Sequence, residues 1–226
     1  MTGYAEPMRT RRSAFLGGAA AAFAALSGSP TAAAETLRLE LHGAFYSRQL
    51  QIVPGIDPQV FVADSSVAEG GIGLENIEHV AGLRALRLDG SDGNAPLFTA
   101  EGMHLGFTAP RWLGAHGTCT IESAGDATHV FIKAAGLIAF GMYSIFKRVS
   151  GASGDVDLPL DGTGKRNWFR AAPDGSLSTM LVSPQPLDPQ GALFFIYHSD
   201  GKSHGMDMGT LGVSAHEHLI GPLGET

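Results

Sequence analysis

The sequence ALFFIYHSDGKSHGMDMGTLGVSAHEHLIGPL, residues 192–223, decides the fold that we predict for this chain. It begins with six consecutive apolar residues, Ala192–Tyr197, and then enters a segment rich in glycine and polar residues. A short apolar run bounded by turn residues is typical of a strand that is buried on both faces. We therefore predict that Ala192–Tyr197 is a central strand of a β-sheet.

The chain before this stretch has turn-forming residues at the short intervals that are typical of a β protein. Its 31 glycines and 12 prolines separate short runs that are apolar or alternating, and no helical stripe of three or more turns occurs. In Leu37–His42 the leucines alternate with polar residues, so that His42 should face solvent. The pattern predicts nine or ten strands in an all-β fold, a single antiparallel β-sandwich or barrel.

One hairpin is predicted from a local turn. Trp168–Ala171 and Leu177–Val182 flank Pro173-Asp174-Gly175, three residues that favour a tight reversal of the chain. We expect these two segments to pair with each other.

The first 34 residues have the layout of an export signal peptide. Arg11 and Arg12 lie in a positive n-region, Phe15–Leu26 is a short apolar h-region, and Ala32–Ala34 is a cleavage motif. The arginine pair resembles the twin-arginine signal, whereas the alternative is a general secretion signal with a chance arginine pair. Both predict a periplasmic or secreted protein, in which residues 35–226 form a single β domain.

The composition of residues 35–226 excludes several classes of function. The leader holds three of the 15 Lys and Arg and one of the 22 Asp and Glu, which leaves 12 against 21 and a net charge of −9. Such a surface repels nucleic acid. No other apolar run reaches the ~20 residues that span a bilayer, so we expect no membrane insertion of the mature chain. Cys119, the only cysteine, allows no internal disulfide and is expected to be buried.

Several motifs in the second half of the chain occur together. They are Gly136–Phe146, Asn167–Phe169, Ala172–Gly175, Tyr197–Gly205 and His216–Leu219. Together they resemble a loose, uncharacterised group of secreted bacterial proteins that shares G-L-x-P-x-G-x-Y-T-x-W, D-G-S-x-N-x-F and H-x-D-G-x-T-H-G segments. The chain departs from that pattern at Ala139 and Phe146. The resemblance implies a secreted β fold and transfers no catalytic residues.

Four of the nine histidines lie within 21 residues of the last stretch. His216 and His218 are two apart, so on a strand they share one face. If the two segments are neighbours, three or four imidazoles converge, and such nitrogen sets suit zinc or copper, with nearby thioethers favouring copper. We therefore predict a periplasmic protein that binds a metal ion, copper first and zinc second, through His198, His204, His216, His218, Met206 and Met208.

Two other classes of function stay open at this point. The same histidines, with Asp200 and Asp207, are suited to acid/base or metal-activating roles in an envelope enzyme that acts on a small molecule. If the histidines are scattered in space, a binding or adhesion module without chemistry is the better interpretation. The sequence does not decide whether the more distant histidines join the site, namely His42, His79, His104, His116 and His129.

Overall fold

The computed structural model describes residues 34–151 and 154–224, so the predicted signal peptide, Ala34 excepted, lies outside the described residues. The described part contains fifteen strands and two short α-helices. The strands are β1 (Glu35–Leu41), β2 (Ile56–Ala63), β3 (Gly71–Ile72), β4 (Glu78–His79), β5 (Leu83–Arg87), β6 (Pro96–Phe98), β7 (His104–Thr108), β8 (His116–Ala124), β9 (Ala127–Ala135), β10 (Met142–Val149), β11 (Val156–Pro159), β12 (Trp168–Arg170), β13 (Leu177–Ser183), β14 (Ala192–His198) and β15 (Ala215–Pro222). The helices are α1 (His42–Gln49) and α2 (Ala109–Leu113), with a 3₁₀ turn at Leu74–Asn76. Within these ranges, no helix has the length and apolar character needed to cross a bilayer.

Nine of the strands form one antiparallel sheet that curls into a half-barrel, which confirms the predicted all-β class. The strand order is β11-β10-β14-β15-β1-β8-β9-β13, and β12 pairs with β10 beside β11. A second sheet has the order β5-β2-β6-β7, and β3 pairs with β4. The pairs formed by these strands are antiparallel, and the strands are short, as the glycine and proline spacing predicts; an isolated parallel bridge joins Leu211 and Ala215.

β14 is the central strand that the apolar run predicts. It lies between β10 and β15, and all seven of its residues are buried. Leu193 and Phe195 belong to the larger apolar cluster of the protein, whereas Phe194 and Ile196 belong to a second cluster on the opposite face. Burying each such side chain stabilises the fold by about 1.5–3 kcal/mol. The sheet is thus covered on both sides at this strand.

The predicted hairpin between Trp168–Ala171 and Leu177–Val182 is wrong. The turn forms, with Gly175 N–H donating to Ala172 O, but β12 pairs with β10 and β13 pairs with β9. These partners lie toward opposite ends of the sheet order. The turn therefore connects two ends of a curled sheet, and a local sequence pattern carries no information about that curl.

The expectation that His42 faces solvent is also wrong. The strand ends at Leu41, and His42 begins α1 with its side chain 0% exposed. Gly43 makes this possible, because a Cβ there would lie 2.8 Å from Asp57 Cα on β2. Without a side chain at Gly43, α1 approaches β2 closely and turns the imidazole of His42 into the interior.

Candidate functional site

The six residues predicted to bind a metal lie in separate places, and among the described residues no group of ligand atoms contains all four histidines. The register of β14 and β15 is the reason. Tyr197 pairs with His216, so His198, one residue further along β14, projects to the other face of the sheet. The structure brings His198 and His204 together, and it places His216 and His218 elsewhere.

His198, Asp200 and His204 form a cluster at the end of β14, which we call the turn cluster. One ligand atom from each lies within 4.8 Å of the others, and the two imidazole centroids are 5.2 Å apart. His204 Nε2 lies 3.2 Å from Asp200 Oδ2. A tight turn produces this arrangement, because Gly201 N–H donates to His198 O and Gly201 adopts φ 71°.

The imidazole of His198 has the protonation state that a metal ligand requires. His198 Nε2 is hydrogen-bonded to Ser144 Oγ at 2.6 Å, whereas His198 Nδ1 and His204 Nε2 are buried without a hydrogen-bond partner. Burial, with the nearby His204, lowers the pKa of His198 to about 4. His198 is therefore neutral at neutral pH, with the lone pair of one nitrogen free to bind an ion.

The two methionines are placed differently from what a thioether-rich copper site needs. Met206 is 57% exposed, and Met208 packs against the second apolar cluster, which contains Phe45 and Ile220. Asp207 Oδ1 accepts a hydrogen bond from Gly209 N–H, so this carboxylate shapes the loop. The donor set that the structure assembles at the turn is two nitrogens and one carboxylate.

His216 and His218 share one face, as predicted, and both rings contact Trp112. The two-residue spacing on β15 produces this, and a β-bulge lies beside it, because Glu217 pairs with Ile196 and Leu219 with Phe195, which leaves His218 as the extra residue. Glu217 points to the opposite face, where it contacts His42. Alternation along β15 thus directs the two histidines to one face of the sheet and Glu217 to the other.

Both rings of this pair are satisfied by protein groups. His218 stacks on Trp112 at 3.6 Å, with Nε2 2.8 Å from Trp112 O and Nδ1 3.0 Å from Tyr143 OH. Since a carbonyl only accepts, His218 Nε2 carries the proton. His216 Nδ1 lies 2.9 Å from Gln59 O. Burial lowers the pKa of His218 to about 3 and that of His216 to about 4. Both residues are therefore neutral parts of the core.

A second His-carboxylate group, which we call the buried cluster, consists of His42, Glu75 and Glu217. His42 Nε2 lies 2.7 Å from Glu217 Oε2 and 3.6 Å from Glu75 Oε1. The Gln59 side chain holds both carboxylates, because its Nε2 donates to Glu75 Oε2 at 2.6 Å and to Glu217 Oε2 at 3.0 Å. The sequence pattern does not predict this cluster, since the alternation of Leu37–His42 places His42 in solvent.

Opposing charges set the protonation of the buried cluster. Burial raises the pKa of Glu75 to about 7. Burial disfavours the charged forms of His42 and Glu217 too, but their mutual attraction outweighs it, so the pKa of His42 is raised and that of Glu217 lowered. Burial also raises the pKa of Asp57, which accepts hydrogen bonds from Trp112 Nε1 and Gln59 N–H.

A cavity of about 740 Å³ adjoins the buried cluster, and Glu75 lines it. Glu75 has φ 58° and ψ 19°, and Asn76 has φ 57°, so two consecutive non-glycine residues are left-handed. Such conformations cost free energy and are concentrated at functional sites. His79 also lines the cavity. Among the described residues, neither group of possible metal ligands contains His79, His104, His116 or His129.

Cys119 has no part in either cluster. It is buried and unpaired, and burial raises the pKa of its thiol to about 12, which confirms the expected structural role. Comparisons of the chain with protein-family models, curated proteins and solved structures return no match. The chemistry of the two clusters is therefore argued from their geometry.

Proposed function

We propose that the chain is an exported metal-binding protein in which His198, Asp200 and His204 bind one zinc ion. The observation that carries this proposal is a pair of buried nitrogens, His198 Nδ1 and His204 Nε2, neither of which has a hydrogen-bond partner. The carboxylate of Asp200 lies next to them. Buried polar atoms without partners are rare and costly in folded proteins. A bound ion would satisfy both nitrogens at once.

The donor set favours zinc over copper. Zinc is commonly bound by imidazole nitrogens and carboxylate oxygens, and three protein ligands leave a fourth tetrahedral position for water or another molecule. The preference for copper depended on thioethers, but Met208 packs against apolar residues. Copper(II), which also accepts imidazole, is the competing ion.

The surroundings of His198 support this function. Ser144 lies on β10, next to β14 in the centre of the sheet, and its Oγ contacts His198 Nε2. Outer groups of this kind fix the orientation of a ligating imidazole and its protonated nitrogen. The leader predicted from the sequence supports a location in the periplasm or outside the cell. A twin-arginine signal would carry it across the membrane already folded, with its ion in place.

Elemental analysis of the protein purified from the periplasm tests the proposal. We expect zinc to bind, and we expect the double variant His198→Ala/His204→Ala to lose one equivalent. The matched control is His104→Ala/His116→Ala, which removes two exposed histidines with local hydrogen bonds and should retain all the metal. Added zinc at 100 times its Kd should stabilise the native protein by about 2.7 kcal/mol. A double variant that binds as much zinc and copper as the native protein would refute the proposal.

A further inference from the structure

We propose that His42, Glu75 and Glu217 form a second metal site, which binds a divalent cation of the Mn²⁺ or Fe²⁺ class at the wall of the large cavity. This site is separate from the zinc site of the turn cluster and goes beyond the proposed function. Mixed imidazole and carboxylate ligands suit these ions, since carboxylate favours Mn²⁺ and imidazole favours Fe²⁺.

The distances within the buried cluster fit ligands of one ion. Ligand atoms roughly 2.0–2.2 Å from one ion lie about 2.9–3.6 Å apart in octahedral or tetrahedral geometry. His42 Nε2 lies 2.7 Å from Glu217 Oε2, slightly below the lower limit of that interval. It lies 3.6 Å from Glu75 Oε1, at the upper limit. The three ligand atoms are all within 4.8 Å of one another. A small shift of the side chains would therefore place them around one ion.

Two of the three residues, His42 and Glu75, carry buried polar atoms without a hydrogen-bond partner. His42 is 0% exposed, and its Nδ1 is buried without a hydrogen-bond partner, whereas its Nε2 has only the 2.7 Å ion-pair contact with Glu217 Oε2. Glu75 Oε1 is also buried without a hydrogen-bond partner. Such atoms cost free energy when nothing binds them. Glu75 Oε1 lies 3.6 Å from His42 Nε2, on the same imidazole whose Nδ1 has no partner.

Gln59 orients the carboxylates for this purpose. Its Nε2 donates to Glu75 Oε2, which leaves Glu75 Oε1 free, and Glu217 N–H donates to Gln59 Oε1 and fixes the amide. This is the arrangement of an outer group that holds metal ligands in place. Gln59 can reach these carboxylates because β1 ends at Leu41, which pairs with Leu219. The part of β15 that precedes Leu219 therefore has no strand partner on this edge and meets Gln59 of β2.

The charge of the region favours a cation. Asp57, Glu75 and Glu217 are buried or nearly buried carboxylates around one imidazole. Arg148 is near Glu217, but its guanidinium makes two hydrogen bonds to Asp157, at 2.9 and 2.8 Å. Uncompensated charges are expensive in a protein interior. A divalent cation offsets the excess of negative charge, and a proton on Glu75 is the competing way to reduce it.

The cavity would give the ion access to the site and leave one side of its coordination sphere without protein ligands. Glu75 is both a member of the cluster and part of the cavity wall, and its left-handed backbone turns the side chain inward. An ion bound there has protein ligands on one side and the cavity on the other. This arrangement is typical of metal sites that bind or activate a small molecule, which is the envelope-enzyme alternative.

Titration with Mn²⁺ tests this site in a background from which the turn cluster is removed. The full chain carrying His198→Ala/His204→Ala is stripped of metal with a chelator, and bound Mn²⁺ is then measured by electron paramagnetic resonance and calorimetry. We expect one equivalent to bind. Adding Glu75→Gln, which keeps the shape of the side chain and removes its charge, should weaken binding at least tenfold.

The matched control is Glu78→Gln, because Glu78 lines the same cavity and lies outside the cluster. It should leave Mn²⁺ binding unchanged within twofold. If Glu75→Gln fails to fold, Glu75→Asp keeps the charge with a shorter reach and should still weaken binding. The proposal is overturned if neither Mn²⁺ nor Fe²⁺ binds in this background, or if Glu75→Gln binds as tightly as its parent. Since the zinc ligands are absent from this protein, either result leaves the turn cluster untouched.

Discussion

Two pairs of buried or half-buried histidines have different surroundings, one pair at the end of β14 and in the loop that follows it, the other on β15. The pair His216 and His218 has a protein partner at every ring nitrogen, including Gln59 O, Trp112 O and Tyr143 OH. The pair His198 and His204 has one buried nitrogen on each ring without a hydrogen-bond partner. Burial lowers the pKa of His198 and of His216 alike, to about 4.

The difference shows which property separates a core histidine from a ligand. Burial alone does not, because it makes the imidazole neutral in both places. The inventory of polar contacts does, since each ring nitrogen of His216 and His218 is already in contact with a polar protein group. By that criterion, His216 and His218 belong to the core, whereas His198 and His204 are the proposed metal ligands.

The largest expected effect is on stability, from His218→Ala. The substitution removes a ring stacked on Trp112 and leaves Trp112 O and Tyr143 OH without their partner. We expect the free energy of unfolding to fall by about 4 kcal/mol, from the cavity and the lost hydrogen bonds. Urea denaturation at pH 7.5 measures it, and zinc stoichiometry should not change. If His218→Ala were as stable as the native protein but no longer bound zinc, His218 would be a metal ligand and not a core residue.

The second effect is a dependence of stability on pH. The pKa of His218 is about 3 in the folded protein, below the unfolded value of about 6.5. The unfolded chain therefore binds the proton more tightly, so this contribution is complete above pH 6.5 and is lost as the pH falls toward 3. Between pH 6.0 and 4.5 it should cost roughly 2 kcal/mol.

Comparison with His218→Gln isolates this contribution from the other titrating groups. Glutamine keeps a donor and an acceptor but does not titrate, so the fall in unfolding free energy between pH 6.0 and 4.5 should be roughly 2 kcal/mol smaller in the variant. Equal pH dependence in both proteins would mean that His218 is not buried in its neutral form.

The third effect concerns the orientation of His198. Ser144→Ala removes the hydroxyl that contacts His198 Nε2, and loss of such an outer partner weakens metal binding by roughly 10–100-fold. Calorimetric titration with zinc measures the change, which is about 1.4 kcal/mol for a factor of ten. The control Ser178→Ala, on β13, should have no effect. Unchanged affinity in Ser144→Ala would show that this contact does not support a ligand.

The smallest effect is expected from Met206→Leu. Because Met206 is 57% exposed, the free energy of unfolding should change by less than about 0.5 kcal/mol. Zinc affinity should stay within twofold, since the ligands are two imidazoles and a carboxylate. A large loss of copper affinity in this variant would instead restore the thioether site that the sequence predicts.

Much of the fold follows from the sequence, because apolar periodicity reports burial directly. The apolar run of β14 predicts its central, fully buried position, and the two-residue spacing of His216 and His218 predicts their common face. The pairing of β12 and β13 does not follow, because it depends on the curl of a sheet whose strands are distant along the chain.

The candidate site follows only in part. Clustering of histidines in the sequence points to the turn cluster, whose members are close along the chain. The buried cluster joins His42, Glu75 and Glu217, which come from a helix start, a loop and the last strand. The one local signal for it was Gly43, since a glycine directly after an alternating strand permits the chain to turn inward. No sequence spacing connects residues so far apart.

The most direct test is anomalous X-ray diffraction at the zinc edge from crystals of the protein soaked in zinc. The account predicts a peak within bonding distance of His198 Nδ1, His204 Nε2 and Asp200, and no peak at the rings of His216 and His218. A peak between His216 and His218, or ordered crystals without any zinc peak at the turn cluster, would contradict it.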